Sequence, residues 1–177
     1  MFLTTLSAVI VALGLSAQAS GFGSSFLLFA LVLLPVVLFV GITTFLRLGG
    51  SNHHDAQCVV GMNRIRHAYL ELAPDLERYF VMSSHDDVRG IGITMGMDPG
   101  TPNAVHLIAA TPILVVVLNA VIVGAIAALA GTAAGVAPLA ALALGVIGFA
   151  LGFLAQITYA RRSITREQEG HTPLFPG

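Results

Sequence analysis

The side chains best suited to chemistry lie in one stretch of this sequence, residues 47–106. Its histidines and carboxylates are types that ligate Zn, Fe or Mn ions. Residues four apart share a face of a helix, so His67 and Glu71 would be neighbours, as would His54 and Cys58. The candidate metal ligands are His54, His67, Glu71, His85 and Asp86.

The spacing of these candidates does not form a dense metal or catalytic signature. The sequence has no His-Glu-x-x-His motif, and Cys58 falls on the apolar face of the predicted helix, away from His67. A catalytic role would need His67 or His85 as a base, and such residues are common in polar loops that do no chemistry. We predict no catalytic residues, no cofactor and no bound metal. A metal-dependent membrane enzyme that uses this His/Asp/Glu cluster is one alternative.

Composition and charge indicate that the rest of the chain belongs in a membrane. The 177 residues are 56% hydrophobic and 10% charged, whereas a soluble domain is about 25% charged. Every charged side chain and every histidine falls within Arg47–His106 or Arg161–His171. A bilayer excludes charge strongly, so the uncharged remainder predicts an integral membrane protein.

The apolar residues predict an all-α fold with four transmembrane helices in two hairpins. A helix needs about 20 residues to cross the hydrocarbon core. The first segment is short and ends in small residues, but no Arg or Lys precedes it, so we expect a retained span rather than a cleaved signal peptide. The predicted spans are Phe2–Ala17, Phe26–Leu46, Leu107–Ala130 and Val136–Ala160.

The charge distribution also predicts the orientation and the domains. All eight basic residues, which are arginines, flank the same ends of the spans, and the opposite loops carry no charge. Positive residues near span ends stay in the cytoplasm, which places both termini and residues 47–106 on the cytoplasmic side of the plasma (inner) membrane. We predict hairpin 1 at 1–46, a cytoplasmic helical module at 47–106, hairpin 2 at 107–160 and a flexible cytoplasmic tail at 161–177.

Small residues in the last two predicted spans recur at helix-contact spacing. Such residues allow two helix backbones to approach closely within lipid. They either form a homo-oligomer interface or pack the second hairpin on itself. The residues concerned are Gly124, Gly145, Gly148 and Gly152.

Within the module, the sequence predicts a helix over 56–72 with one apolar face that includes Cys58, Ile65 and Tyr69. We expect Gly49-Gly50 to end the second span, Asp55 to cap the new helix, and residues 90–97 to form a strand or extended loop. The apolar face would lie on the membrane interface or pack against another subunit.

The arginines of the module have two possible uses. Guanidinium groups bind phosphate in two-point contacts, so they could hold lipid headgroups or another anion. The neighbouring carboxylates could instead pair with them internally. The candidates are Arg64, Arg66 and Arg78.

The segment Gly61-Met62-Asn63-Arg64-Ile65-Arg66-His67-Ala68-Tyr69-Leu70-Glu71, with Glu77–Phe80 and His85-Asp86-Asp87 after it, resembles a known group. The group consists of uncharacterised small actinobacterial integral membrane proteins whose spans flank a similar cytoplasmic segment. The resemblance implies a membrane protein with a distinctive cytoplasmic module, and it implies no catalytic residues.

These observations favour a non-enzymatic integral membrane assembly protein. It would either associate with itself or serve as an accessory subunit of a larger membrane complex, with lipid and other membrane subunits as partners and no nucleic acid. The alternative from another class is a passive oligomeric channel gated by the cytoplasmic module, with polar span residues such as Asn119, Thr111 and Gln156 lining one axis.

Overall fold

The computed structural model describes residues 2–21, 23–97 and 111–177 of the chain, excluding the side chains of 111, 167 and 168. This described part contains helices and connecting turns but no strand, as the all-α prediction requires. A short 3₁₀ helix covers Pro74–Tyr79. The α-helices are α1 (Phe2–Ser20), α2 (Ser24–Leu72), α3 (Val88–Thr94), α4 (Thr111–Ala133) and α5 (Pro138–Glu169).

Four of these helices, α1, α2, α4 and α5, are long and apolar enough to cross a membrane. Each contains most of one predicted apolar span, although residues 107–110 lie outside the described part. α5 starts at Pro138, where the missing N–H costs no hydrogen bond. Gly135, with φ +77°, makes the turn between α4 and α5, because only glycine adopts that backbone conformation without strain.

Helix α2 runs for 49 residues, from Ser24 to Leu72. The helix thus continues through Gly49-Gly50, where the second span is predicted to end, and the predicted cap at Asp55 is wrong. A glycine weakens a helix by about 1 kcal/mol but does not forbid it. Side chains one turn apart also contact along this stretch, with His53 Nε2 2.8 Å from Gln57 Nε2. The helix ends where Pro74 disfavours helical geometry at Ala73, whose φ and ψ are −147° and 86°.

Residues 88–94 form helix α3, so the predicted strand or extended loop at 90–97 is wrong. Asp87 caps the helix, since its Oδ1 accepts the Gly90 N–H at 2.7 Å. Alternating Gly and Ile suggested an extended segment, but the local Asp87 cap decides the conformation. Gly90 also packs against the His85 carbonyl so closely that a Cβ there would overlap it.

The chain divides into two compact units. The first, here called the bundle, comprises residues 1–47 and 111–159, and the second, here called the polar unit, comprises 48–110 and 160–177. Residues from 160 onward thus belong to the same unit as the module instead of forming a separate part.

In the bundle, α4 and α5 run antiparallel and meet at their small residues. A Cβ added at Gly124 would lie 2.7 Å from the Gly145 carbonyl oxygen. One added at Gly148 would lie 2.9 Å from the Ala127 Cβ. Such spacing leaves no room for larger side chains, so the predicted small-residue pattern is used for packing within this chain.

One polar contact lies inside the bundle. Asn119 is 0% exposed, and its Nδ2 donates to Gln156 Oε1 at 2.9 Å. Its Oδ1 has no hydrogen-bond partner among the described residues and points at Gly41 of α2, where a Cβ would overlap it. The close approach at Gly41 therefore depends on the absence of a side chain.

Candidate functional site

The site that stands out is in the polar unit, where helix α2 turns its polar face inward. Asn63 is 0% exposed. Its Nδ2 donates to the His85 carbonyl at 2.7 Å. Its Oδ1 accepts from Arg66 at 2.6 Å and from the Thr94 hydroxyl at 3.0 Å. One buried amide thus joins α2 to α3 and to the segment between them.

Asp86 is the centre of the site, with 0% exposure. Its Oδ2 accepts from Arg64 Nε at 2.7 Å and from the Leu174 N–H at 3.0 Å. Its Oδ1 accepts the Phe175 N–H at 2.8 Å. A buried carboxylate is stable only when its oxygens are satisfied in this way. Here the chain itself supplies the donors, from α2 and from the 171–177 segment.

The backbone of Asp86 contacts the same segment. Its N–H donates to the Phe175 carbonyl at 3.2 Å. Its carbonyl oxygen lies 2.6 Å from His171 Nε2, which must carry the proton and donate it. A longer contact of 3.5 Å joins Arg64 to the Thr172 carbonyl. The segment is therefore held mainly through main-chain groups.

An aromatic contact completes the docking. The Phe175 ring stacks on His67 with centroids 3.9 Å apart and planes inclined by 20°. The His85 ring is 6.2 Å from His67 and lies against Gly177. We call Arg64, His67, His85 and Asp86 the Asp86 cleft, and residues 171–177 its occupant.

The cleft controls the ionisation of Asp86. Burial alone would raise the pKa of this carboxyl, because it disfavours the charged form. The N–H groups of Leu174 and Phe175 and the Arg64 guanidinium outweigh burial and lower the pKa of Asp86 from 3.8 to about 2. The carboxylate is therefore charged at neutral pH, and its docking contacts depend on that charge.

The C-terminal segment is docked in the structure, whereas the sequence predicts a flexible tail. Glycine and two prolines suggested a flexible tail over 161–177, whereas the structure continues α5 to Glu169 and attaches Leu174 and Phe175 to Asp86. The prolines that interrupt a helix also restrict an extended peptide, so they favour docking. An aromatic residue between Pro173 and Pro176 is the signal that could have indicated it.

The candidate metal ligands occupy separate places. His54 Nε2 is 3.8 Å from Cys58 Sγ, and His67 Nε2 is 3.9 Å from Glu71 Oε1. Asp86 is engaged by Arg64 and the occupant. Within the part of the chain that the structure describes, no group of three or more His, Cys, Asp or Glu side chains is arranged to hold a metal ion.

The candidate anion-binding arginines make internal contacts. Arg64 pairs with Asp86 at 2.7 Å, and Arg66 donates to Asn63 and to the Ser83 carbonyl at 3.4 Å. Arg78 lies over the Tyr79 ring, 4.9 Å from its centroid. Arg64 and Arg66 thus hold the polar unit together.

The apolar face of α2 faces outward in the polar unit. Ile65 is 59% exposed, Tyr69 54% and Leu72 83%, and Cys58 is exposed as well. Around the Asp86 cleft, α2 buries the polar Asn63 and exposes the apolar Ile65, Tyr69 and Leu72, the reverse of a helix on a soluble domain. We call Met62, Ile65, Tyr69 and Leu72 the outer face of α2.

A comparison of this chain with known protein families, curated proteins and solved structures gives no match.

Proposed function

We propose that this chain is a non-enzymatic integral membrane protein that assembles with further copies of itself through the outer face of α2. An accessory role in a larger membrane complex is the other form of the same proposal. The observation that carries it is the exposure of Ile65, Tyr69 and Leu72 on a helix whose opposite side is already occupied. An apolar face of this kind in water is typical of a surface that another molecule covers.

In the proposed arrangement, α1, α2, α4 and α5 cross the plasma membrane as two hairpins. Their length and apolar character support insertion. The eight basic residues all fall outside the predicted spans, which supports a cytoplasmic polar unit by the positive-inside rule. Membership of the actinobacterial group that the central segment resembles stays a prediction.

A passive channel receives less support than assembly. Its predicted lining included Asn119 and Gln156, and these two side chains hydrogen-bond to each other at 2.9 Å. Gln156 Nε2 also donates to the Gly152 carbonyl at 3.1 Å. Side chains that hydrogen-bond to each other inside one bundle do not line a hydrated path for ions.

The test of assembly is the particle mass in mild detergent and in nanodiscs. We expect the wild-type chain to form oligomers and the Ile65→Ser, Tyr69→Ser double variant to dissociate. Val81→Ser is the matched control, because Val81 is 89% exposed but lies outside α2. A wild-type chain that is monomeric in both environments contradicts self-assembly, and a co-purified stoichiometric partner would then identify the accessory role.

A further inference from the structure

The occupant sits in the Asp86 cleft as a bound peptide would. Consecutive N–H groups, of Leu174 and Phe175, donate to the two oxygens of one carboxylate. The Asp86 N–H returns a bond to the Phe175 carbonyl. Recognition of an extended peptide through its main chain, with one side chain in a specific contact, is a common mode of peptide binding.

The contacts define which peptide fits. Positions 174 and 175 must carry an N–H, and position 175 must present a flat ring to His67. The Leu174 side chain is 62% exposed, so the cleft does not select for the side chain at this position. Prolines at 173 and 176 restrict the free peptide and lower the entropy lost on binding.

The attachment of the occupant to α5 adds little to its recognition. α5 ends at Glu169, and the Gly170 N–H donates to the Arg166 carbonyl at 3.1 Å. The principal contacts begin at His171 and are the same whichever copy supplies the segment. Whether a cleft holds its own segment or that of a neighbouring copy then depends on the effective concentration of each segment at the cleft. In an assembly both effective concentrations are high.

We infer that the Asp86 cleft is a peptide-recognition site that accepts the 171–177 segment of a second copy of this chain as well as its own. Exchange of an identical element between copies conserves every contact and is a low-cost route to assembly. The exchange rests on the proposed self-assembly, whereas the recognition site itself does not.

The first experiment measures peptide binding. A chain that ends at Gly170, placed in nanodiscs, is titrated with a fluorescent peptide of the sequence His-Thr-Pro-Leu-Phe-Pro-Gly. We expect saturable binding that Leu174→Pro in the peptide weakens by roughly tenfold or more, because the N–H donated to a buried charge is lost. Leu174→Ala is the matched control and should change affinity by less than about twofold, since that side chain is exposed. The full chain with Phe175→Ala, whose own segment is held more weakly, is titrated in parallel, so that the test does not depend on the truncated chain alone. The absence of binding by both chains, or equal loss with both peptides, overturns the recognition site.

The second experiment measures exchange in a Cys58→Ser background. Donor copies carry Gly177→Cys, with their own cleft disabled by Asp86→Asn. Receptor copies carry His85→Cys and end at Gly170. Because Gly177 lies against the His85 ring, mild oxidation should cross-link donor to receptor. A single full-length chain that has both cysteines and keeps Asp86 is the positive control.

The outcomes separate the two proposals. Cross-linking between donor and receptor copies establishes exchange. If the positive control cross-links but donor and receptor copies do not, exchange is overturned. If the truncated and full-length chains are both monomeric but the peptide binds the truncated chain saturably, self-assembly fails and the recognition site stands. If the full chain is oligomeric but the peptide does not bind, the recognition site fails and self-assembly stands.

Discussion

The bundle and the polar unit use opposite means to bring helices together. In the bundle, glycine and alanine allow α4 and α5 to touch, and one amide pair, the buried Asn119 with the half-buried Gln156, hydrogen-bonds between them. In the polar unit, a buried carboxylate and a buried amide, Asp86 and Asn63, gather main-chain and arginine donors around them. Close packing is the main attraction available between helices in lipid, which is where we propose that the bundle lies, whereas a polar unit can build its interior from paired charges and hydrogen bonds.

This contrast explains why α2 changes character along its length. In the bundle it presents Gly41 to Asn119, so its contact depends on a missing side chain. In the polar unit it presents Asn63 and Arg64, so its contact depends on hydrogen-bonding groups. The outer face is what remains when the polar side is used internally, and it is the surface through which we propose assembly.

The largest expected effect comes from removing the charge at the centre of the polar unit. Asp86→Ala leaves the Leu174 and Phe175 N–H groups without their acceptor, together with Arg64, whose side chain is 35% exposed. Each buried donor left unsatisfied costs about 1–3 kcal/mol. Hydrogen exchange at Leu174 and Phe175 should accelerate to the rate of a free peptide. Asp87→Ala is the control, because it removes the cap of α3 and one long contact of 3.5 Å with the Gly177 N–H but leaves the Asp86 contacts. Slow exchange at both amides in Asp86→Ala would show that the carboxylate does not hold the segment.

The corresponding change in the bundle is Gly41→Ala. The added methyl overlaps Asn119 Oδ1, and overpacking costs about 1–3 kcal/mol. Thermal unfolding in detergent measures the loss. Gly14→Ala is the matched control, because a Cβ at Gly14 in α1 has no atom within 4 Å.

A double variant sharpens that result. Asn119→Ala removes the overlapping atom, so Gly41→Ala should destabilise an Asn119→Ala chain much less than it destabilises the wild type. Strictly additive losses would place the cost of Gly41→Ala elsewhere than at this contact.

Acid should affect the polar unit alone. The pKa of Asp86 is lowered from 3.8 to about 2 in the folded chain, so its charge stabilises docking fully above about pH 4 and not below about pH 2. The difference corresponds to about 2 kcal/mol, lost as pH falls through that window. Proteolysis of the 171–177 segment at low pH measures it, and the Asp86→Asn variant should lose most of the dependence.

The smallest expected effect is the loss of the ring contact. Phe175→Ala removes stacking on His67 and should weaken docking by about 1 kcal/mol while leaving the N–H donors in place. Leu174→Ala is the control. Amide exchange of Phe175 and the chemical shifts of the His67 ring report the change, and identical shifts in the two variants would contradict the stacked geometry.

The sequence predicts the bundle better than the polar unit. Long uncharged runs have few alternatives to helix, so the all-α fold and the four long helices follow from Phe2–Ala17 and its counterparts. For Gly124 and Gly145 the sequence left two possibilities, packing within the hairpin or packing between copies. The spacing of small residues does not say which helix packs against them. Gly49-Gly50 looked like a helix end because glycine is a common stop, but a stop also needs capping geometry that this stretch lacks.

The site is less predictable because its contacts join residues far apart in the chain. Arg64 was recognised as a possible partner of acidic residues, but nothing local selects Asp86 over Glu71 or Asp87. The role of Phe175 depends on main-chain donors at 174 and 175, and every non-proline residue carries such a donor. Apart from the aromatic residue between Pro173 and Pro176, no pattern of side chains indicates a site whose contacts are made by the backbone.

The proposed assembly requires that α2 keeps Asn63 inward and its outer face free for another copy, and cysteine cross-linking in native membranes tests this directly. In a Cys58→Ser background, Ile65→Cys stands on the outer face at a position that is 59% exposed, and Val59→Cys stands on the same helix at one that is 8% exposed. We expect an inter-copy disulfide at Ile65→Cys and none at Val59→Cys. Cross-linking at Val59→Cys without cross-linking at Ile65→Cys would contradict it.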